Sequence, residues 1–214
     1  MRSIKESSDE LNPTVATTTA SAFPARTVQR KRTPLDYLAL AIATCGIGFI
    51  PVAPGTWGSA LGVILYLLLR ATFIWGFVVR THLGGHDVNY QQVEILRTTL
   101  MLGIVIGITL AGIWAATHAE KLLGRKDPRV VVVDEVAGQF IAFLFVPLEM
   151  KLNWWVIIAG FLLFRLFDIW KPYPIRRLEA LRSGLGVMAD DLLAGAYAAA
   201  TLLLLLTLVS YWKL

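Results

Sequence analysis

Acidic side chains interrupt the apolar sequence of this 214-residue chain at four places. They are Asp127, the pair Asp134 and Glu135 after four valines, Asp168 within FLLFRLFDIWKP, and the pair Asp190 and Asp191 at the start of the last apolar stretch. Ionisable groups in apolar segments are costly unless they line a polar cavity or meet a partner, so they indicate a functional site. Because no cysteine or histidine accompanies them, these carboxylates predict a site for a hard divalent cation such as Mg2+.

The composition predicts an integral membrane protein. Hydrophobic residues make up 56% of the chain and charged residues 16%, whereas soluble domains contain about 25% charged residues. The formal net charge of +5 comes from lysines and arginines near the ends of apolar segments, which favours contact with anionic membrane lipids and excludes a nucleic-acid partner. The single Cys45 cannot form an internal disulfide and opens no metal-binding pair.

Residues 1–33 are predicted to form a disordered N-terminal tail, and residues 34–214 a membrane-embedded domain. The tail is rich in Ser, Thr, Ala and Pro and contains no apolar run long enough for a signal peptide. An organellar transit peptide is a weaker alternative, because the tail carries several acidic residues. Its basic residues lie just before the first apolar segment, where positive charge marks the cytoplasmic side.

Six apolar stretches follow the tail, and a span needs about 20 residues. The stretches cover residues 36–53, 59–79, 98–117, 130–148, 153–170 and 191–212. The first runs into GIGFIPVAPGTWGS, whose prolines and glycines would break a helix. We therefore expect an all-α, polytopic membrane helical bundle with about five spans plus a re-entrant or broken first segment.

Loop charges favour one orientation of this bundle. The basic loops at 118–129 and 171–190 are expected in the cytoplasm, and the polar loop at 80–97 outside. A first segment that spanned fully, with the tail inside, would place both basic loops outside. In the preferred topology four parts of the chain meet at the cytoplasmic face, namely residues 51–59, 127–135, 165–176 and 190–191.

Adjacent acids on a helix point about 100° apart. We therefore expect that Asp134 and Glu135 do not both face one ion, so that one binds metal and the other acts nearby. The same geometry holds for Asp190 and Asp191, and a plain helix cap is the alternative for that pair. Asp127, just before Pro128, is expected to be a loop residue outside the site.

Basic residues near the acids indicate an anionic substrate. Arg165 lies three residues before Asp168 and Lys171 three residues after it, so all three can share one helical face. The guanidinium and ammonium groups suit phosphate oxygens. An internal salt bridge of Asp168 with either cation is the alternative, and Arg176 and Arg177 could instead extend to the headgroup level without binding substrate.

The segment PVAPGTWGS could approach an anion with its backbone. Gly55 and Gly58 leave room for close contact, and Thr56 and Ser59 offer hydroxyl groups. A tight turn alone would use the same residues. The preceding GIGFIP does not complete a dinucleotide-binding glycine pattern, and GTWGS does not complete a P-loop.

Four ordered segments resemble the motifs of the phosphatidylglycerophosphatase A family. They are GFIPVAPGTWGS, DPRVVVVDEVAGQ, FRLFDIWKPYPIRRLE and GLGVMADDLLAGAYA. The resemblance covers roughly residues 36–212 and implies a Mg2+-dependent lipid phosphatase of the bacterial inner membrane. Such an enzyme removes the terminal phosphate of phosphatidylglycerophosphate to give phosphatidylglycerol. The long tail and the loop at 80–97 depart from the family pattern.

On this hypothesis, carboxylates hold the metal and cations hold the phosphate. Asp134, Asp168 and Asp191 are the expected ligands, Asp190 is a further ligand or a supporting group, and Glu135 positions the attacking water or binds metal. Asp134 and Asp168 therefore count with Glu135 as catalytic residues. The expected substrate-binding residues are Gly55, Thr56, Gly58, Arg165, Lys171 and Arg176.

Other functional classes fit the sequence less well. A small ion- or solute-binding membrane transporter would also contain intramembrane acids and a broken helix, but it would place the acids near the bilayer midplane. Here they cluster at segment ends. A cysteine phosphatase is excluded because Pro51 stands where the loop C-x5-R requires arginine after Cys45.

Overall fold

The computed structural model describes residues 32–83 and 89–212, except for the side chain of Leu83. Nearly all of the predicted tail therefore lies outside the described residues. Seven helices and no strand occur in the described parts, so the all-α fold is confirmed. The helices are α1 (Pro34–Thr44), α2 (Pro54–Leu83), α3 (Tyr90–Leu123), α4 (Val133–Phe143), α5 (Trp154–Trp170), α6 (Ile175–Leu178) and α7 (Ser183–Tyr211).

Three helices, α2, α3 and α7, are long and apolar enough to cross a membrane. In the most apolar window of each, between 22% and 33% of the residues are buried inside the protein. The remaining surface carries exposed large side chains such as Trp75, Leu110 and Leu204. Apolar surface of this extent is stable against lipid and not against water, which confirms the membrane character of the bundle.

The other apolar segments form shorter helices than their lengths in sequence indicate. At 17 residues, α5 lies at the lower limit for a span. The segment at 130–148 contains only the 11-residue helix α4, which is about 16 Å long, or half the hydrocarbon thickness. The expected loop at 80–97 is instead largely helical, because α2 continues to Leu83 and α3 begins at Tyr90.

The first apolar segment is broken, as its prolines and glycines indicate. Helix α1 begins at Pro34, and the preceding Thr33 caps it, since the side chains of Thr33 and Asp36 form a reciprocal capping box. It ends at Thr44, and Cys45 then takes a left-handed conformation with φ of 48°. The chain turns until Pro54 starts α2 with its preset φ, which places the residues around Gly55 at a helix N-terminus.

Helix α4 lies at the centre of the bundle. Nine of its eleven residues are buried, and it packs against α2, α3, α5 and α7. The backbone that follows it would leave buried carbonyl groups without partners, which is costly in an apolar environment. Arg70 of α2, only 4% exposed, donates to four of these carbonyls, at 2.7–3.2 Å, on Val146, Pro147, Leu148 and Met150.

A second buried arginine supports the same region. Arg97 of α3 is fully buried and forms an ion pair with Glu94. It also donates a 3.3 Å hydrogen bond to the carbonyl oxygen of Leu144, the residue that directly follows α4. Glu94 in turn accepts a 3.3 Å hydrogen bond from the backbone amide of Leu148. The two arginines therefore allow the chain to leave a helix within the protein interior.

Helices α4 and α7 approach each other through two glycines. A Cβ atom on Gly138 would lie 2.5 Å from the carbonyl oxygen of Asp191, and one on Gly195 would collide with the carbonyl oxygen of Gly138. Gly138 follows Asp134 by one helical turn, and Gly195 follows Asp191 by one turn. The close contact therefore brings Asp134 and Asp191 to the same level of the bundle.

Arg70→Met should lower the free energy of unfolding by about 3 kcal/mol or more, because each buried carbonyl that loses its donor costs about 1–3 kcal/mol. Thermal unfolding in detergent micelles measures the change. Arg80→Met is the matched control, since Arg80 is exposed on the same helix and should shift the transition little. Equal shifts for the two variants would show that Arg70 does not stabilise the segment after α4.

Candidate active site

The residues of interest meet at a cavity of about 580 Å3. Its walls come from the turn before α2, the segment before α4, the C-terminal end of α5 and the N-terminal part of α7. The predicted site residues that line it are Gly55, Thr56, Asp134, Glu135, Arg165, Asp168, Lys171, Asp190 and Asp191. Four separate parts of the sequence thus contribute to one site.

Three carboxylates form the centre of this cavity. Asp134, Glu135 and Asp191 each offer an oxygen atom, and these atoms lie within 4.8 Å of one another. The adjacent pair therefore does reach one point, contrary to the expectation from helix geometry, because the longer Glu135 side chain can turn back towards Asp134. Asp134 and Asp191 are only 8% and 3% exposed.

The carboxylate cluster fits a divalent cation. Asp134 Oδ1 and Glu135 Oε2 are buried and have no hydrogen-bond partner among the described residues. Unpaired buried oxygen atoms carry a large desolvation cost unless a cation compensates it. Oxygen ligands of this type suit Mg2+. The donor set therefore agrees with the metal expected from the sequence.

Two cation–carboxylate pairs flank the cluster. Arg165 Nη1 lies 2.7 Å from Asp168 Oδ2, and Lys171 Nζ lies 2.7 Å from Asp190 Oδ2. The salt bridge considered as an alternative for Asp168 is therefore present, with Arg165. Asp168 and Asp190 stand outside the three-carboxylate cluster, although both line the cavity.

Lys171 retains its charge in this setting. Burial by itself would lower the pKa of Lys171, but the hydrogen bond and charge of Asp190, with the charge of Glu179 3.6 Å away, raise the pKa above its ordinary value. The side chain is thus a cation at neutral pH. It can contact phosphate oxygens without leaving the vicinity of Asp190.

The two glycines at the start of α2 have different roles. A Cβ atom on Gly55 would collide with Glu135 Oε1 and lie 3.3 Å from Arg165 Nη1, so this glycine leaves space for two site residues. Gly58 does not line the cavity. A Cβ atom there would lie 3.0 Å from Cβ of Val132, which shows that Gly58 allows α2 to approach the start of α4.

Ser59 links the start of α2 to Arg165. Its hydroxyl donates to the carbonyl oxygen of Gly55 at 2.9 Å and accepts from Arg165 Nη1 at 3.4 Å. Because Ser59 is fully buried, it holds the arginine and does not meet a ligand in the cavity. Thr56, one turn nearer to the mouth, is exposed and lines the cavity.

The structure also places residues in the cavity that the sequence analysis left out. Asp127 lies in the loop between α3 and α4, as expected, but it lines the wall of the cavity, which the sequence did not indicate. Its backbone amide is held at 3.0 Å by Glu120. Arg129 lines the wall as well. Its place in the motif DPRVVVVDEVAGQ, two residues after Asp127, could have indicated from the sequence that it lies near the site. Arg176, in contrast, lies in a neighbouring groove.

The charge of the cavity is strongly negative. Six acidic and three basic side chains line it, a formal excess of three negative charges when all are ionised. Such a surface repels a phosphate ester unless cations reduce the excess. A cation held by the carboxylates would reduce this excess, and a phosphate would then meet least repulsion at the boundary between the carboxylates and the two cations.

Cys45 takes no part in this chemistry. Burial, with the negative charge of Glu135 as the second cause, raises the pKa of the Cys45 thiol to about 11. The thiol is protonated at neutral pH and donates to the carbonyl oxygen of Ile42 at 3.4 Å. It is therefore not a nucleophile.

Comparison with known proteins identifies the relatives of this chain. The sequence profile of the phosphatidylglycerophosphatase A family matches residues 40–206. Phosphatidylglycerophosphatase A of Haemophilus influenzae is 34% identical over 85% of this chain and 91% of its own length, and that of Escherichia coli is 32% identical over 73% and 76%.

A further relative carries a different name. A protein of Bacteroides thetaiotaomicron, provisionally named as a phosphatidylinositol-3-phosphatase, is 42% identical over 76% of this chain and 90% of its own length. No solved structure matches the chain. The relatives are thus named for two different phosphorylated lipids.

Gly55→Ala should weaken Mg2+ binding about tenfold, because the added methyl group displaces the Glu135 carboxylate from the cluster. Isothermal titration of the purified protein with Mg2+ measures the affinity. Gly76→Ala is the control on the same helix, since nothing lies within 4 Å of its added Cβ atom. If both variants bound Mg2+ like the original chain, Glu135 would not belong to the metal site.

Proposed function

Since the chain belongs to the phosphatidylglycerophosphatase A family, and is therefore a phosphoric monoester hydrolase, we propose that it hydrolyses phosphatidylglycerophosphate to phosphatidylglycerol and inorganic phosphate. The proposal includes Mg2+ as cofactor and a place in phospholipid biosynthesis. The observation that supports it best is the three-carboxylate cluster beside Arg165 and Lys171. That arrangement combines a metal site and a phosphate site in a membrane-embedded protein.

The metal would be held by Asp134, Glu135 and Asp191. When bound, Mg2+ supplies positive charge that reduces the negative excess of the cavity and polarises the phosphoryl group. Asp168 and Asp190 hold Arg165 and Lys171 at its edge.

The side chains of the cavity can position a phosphate monoester for attack by water. Arg165 offers a planar fork of N–H donors, and Lys171 offers an ammonium group, to the oxygens of the terminal phosphate. Glu135 orients the water and accepts its proton as the new bond to phosphorus forms. The bond between phosphorus and the headgroup oxygen breaks, and that oxygen takes up a proton as the lipid alcohol leaves.

The site is proposed to face the cytoplasm from a bacterial inner membrane. Arg129 and Lys171, which line the cavity, belong to the basic loops at 118–129 and 171–190, and basic loops mark the cytoplasmic side. The arrangement does not favour a transporter, because the acids lie in the first turn of α4, in the last turn of α5 and in the N-terminal third of the 29-residue α7, and not at the middle of a span. Asp190 and Asp191 follow the start of α7 at Ser183 by two turns, so the alternative of a plain helix cap for this pair is wrong.

A second substrate is supported by the Bacteroides relative, which is named for phosphatidylinositol 3-phosphate. Both lipids combine a phosphodiester, which joins the headgroup to diacylglycerol, with a phosphomonoester on another hydroxyl group of the same polyol. The catalytic cavity binds the monoester in either case. An assay therefore has to determine whether the protein prefers a glycerol or an inositol headgroup.

The purified protein should release inorganic phosphate from phosphatidylglycerophosphate in mixed micelles when Mg2+ is present, and EDTA should abolish the release. Added Mg2+ in excess should restore it, because the ion neutralises carboxylates that otherwise repel the substrate. Phosphatidylinositol 3-phosphate is assayed in parallel. Phosphate release that persists in EDTA would contradict the metal mechanism, and faster release from the inositol lipid would assign that lipid as substrate.

Asp134→Asn and Glu135→Gln should each reduce turnover by at least about 100-fold, because they remove a metal ligand or the group that orients water. Helical circular dichroism checks that the variants remain folded. Glu149→Gln is the matched control, since Glu149 is exposed and lies outside the cavity, and its turnover should stay within about twofold of the original. Full turnover in Asp134→Asn would place the metal elsewhere.

A further inference from the structure

A second cavity opens beside the catalytic one at the end of α5. Its volume is about 460 Å3, and its lining residues are Trp170, Lys171, Pro172, Tyr173, Arg176 and Arg177. We call it the basic–aromatic groove. Lys171 belongs to the walls of both cavities, so the groove adjoins the site at which the terminal phosphate would bind.

The two aromatic residues place the groove at the level of lipid headgroups. Trp170 ends α5 and is 62% exposed, and Tyr173 is 71% exposed. Exposed Trp and Tyr side chains at the end of a membrane helix lie at the boundary between hydrocarbon and water. The phosphodiester groups of phospholipids occupy the same depth.

The charge of the groove is opposite to that of the catalytic cavity. Its three charged lining residues are cations, and neither Arg176 nor Arg177 forms an ion pair with a described residue. An arginine without a carboxylate partner has N–H donors left for an anion, and its planar fork matches two phosphate oxygens. The two arginines of the groove therefore have no negatively charged partner among the described residues. A lipid phosphate can supply that charge.

One of these arginines is held in place. The Arg177 guanidinium carbon lies 4.9 Å from the centre of the Tyr173 ring, and Nη1 donates to the Tyr173 hydroxyl at 3.2 Å. Tyr173 is fixed in turn through its carbonyl oxygen, which accepts from the Tyr197 hydroxyl at 3.4 Å. A cation stacked on an aromatic ring loses less conformational freedom when it binds a ligand than a mobile side chain does.

We propose that the basic–aromatic groove binds the phosphodiester of the lipid substrate while the catalytic cavity holds its phosphomonoester. The inference depends on the proposed function, because it assigns the second phosphate of the same molecule. It defines the substrate class as lipids that carry a phosphodiester and a phosphomonoester on one polyol. Phosphatidylglycerophosphate and phosphatidylinositol 3-phosphate both belong to this class, whereas phosphatidic acid has only the monoester.

The simplest alternative is that the groove residues only anchor the end of α5 at the membrane interface. An anchor would act on every substrate alike, since it would change the position of the whole site. A phosphodiester site would instead affect only lipids that contain that group. The two roles therefore differ in how a variant changes KM for different lipids.

The test uses Arg177→Gln and Arg176→Gln in the full chain, with Arg182→Gln as a control. Arg182 is an exposed cation of the same basic segment and lines neither cavity. KM and kcat are measured in mixed micelles of constant anionic content, with phosphatidylglycerophosphate, phosphatidylinositol 3-phosphate and phosphatidic acid. Inhibition by phosphatidylglycerol, which has the diester and lacks the monoester, is measured for each variant.

We expect Arg177→Gln to raise KM about tenfold for whichever diester-containing lipid the original chain hydrolyses, with kcat within about twofold. The inhibition constant of phosphatidylglycerol should rise by a similar factor, and KM for phosphatidic acid should not change. The Arg182→Gln control should match the original chain. The preferred lipid of the original chain distinguishes a glycerol from an inositol headgroup.

Two results would overturn the inference. The first is an unchanged inhibition constant for phosphatidylglycerol in both Arg176→Gln and Arg177→Gln. The second is an equal rise in KM for phosphatidic acid and for the diester-containing lipids, which would indicate an anchor. Either result leaves the phosphatase activity of the original chain standing, whereas the absence of phosphate release from every lipid by the original chain would refute the proposed function itself.

Discussion

The structure depends on a helix that is too short to cross the membrane and is nevertheless buried. Helix α4 has both of its ends inside the protein, where backbone groups need partners. Arg70 and Arg97 meet the carbonyl groups at and beyond its C-terminal end. Its first turn carries Asp134 and Glu135, whose negative charge suits the positive end of the helix dipole. A full-length helix would move one of these ends to the membrane surface, and the acids would lose their enclosed position.

The glycine contact between α4 and α7 converts this constraint into a site. With Gly138 against the backbone of Asp191 and Gly195 against Gly138, the acids one turn earlier on each helix come close enough to share a cation. Carboxylates placed so near to each other repel when they are ionised, and a bound divalent ion would compensate that charge. The close packing of the two helices and the convergence of the carboxylates are therefore two consequences of the same pair of small residues.

The two adjoining cavities at the C-terminal end of α5 carry opposite charges. The catalytic cavity has an excess of negative charge, whereas the charged residues that line the adjoining groove are all cations. Lys171 lies at their boundary and stays charged because Asp190 accepts its hydrogen bond. On the proposed assignment, a headgroup with two phosphates would occupy both regions, one with metal and one without. Such a division would suit both kinds of phosphorylated lipid for which the relatives of this chain are named.

Much of the site could be predicted from the amino-acid sequence, because acids in apolar segments have few stable roles and because prolines and glycines break helices wherever they occur. The all-α membrane fold, the broken first segment and the convergence of four motifs follow from such local rules. The length of α4, the inclusion of Asp127 and the separation of Arg176 from the catalytic cavity were decided only by tertiary contacts. An apolar run such as 130–148 has the same hydropathy whether or not two distant arginines bind the carbonyls that follow its helix. In the same way, the 100° between neighbouring helical residues gives their directions but not the reach of a flexible glutamate, which depends on the space left by Gly55 on another helix.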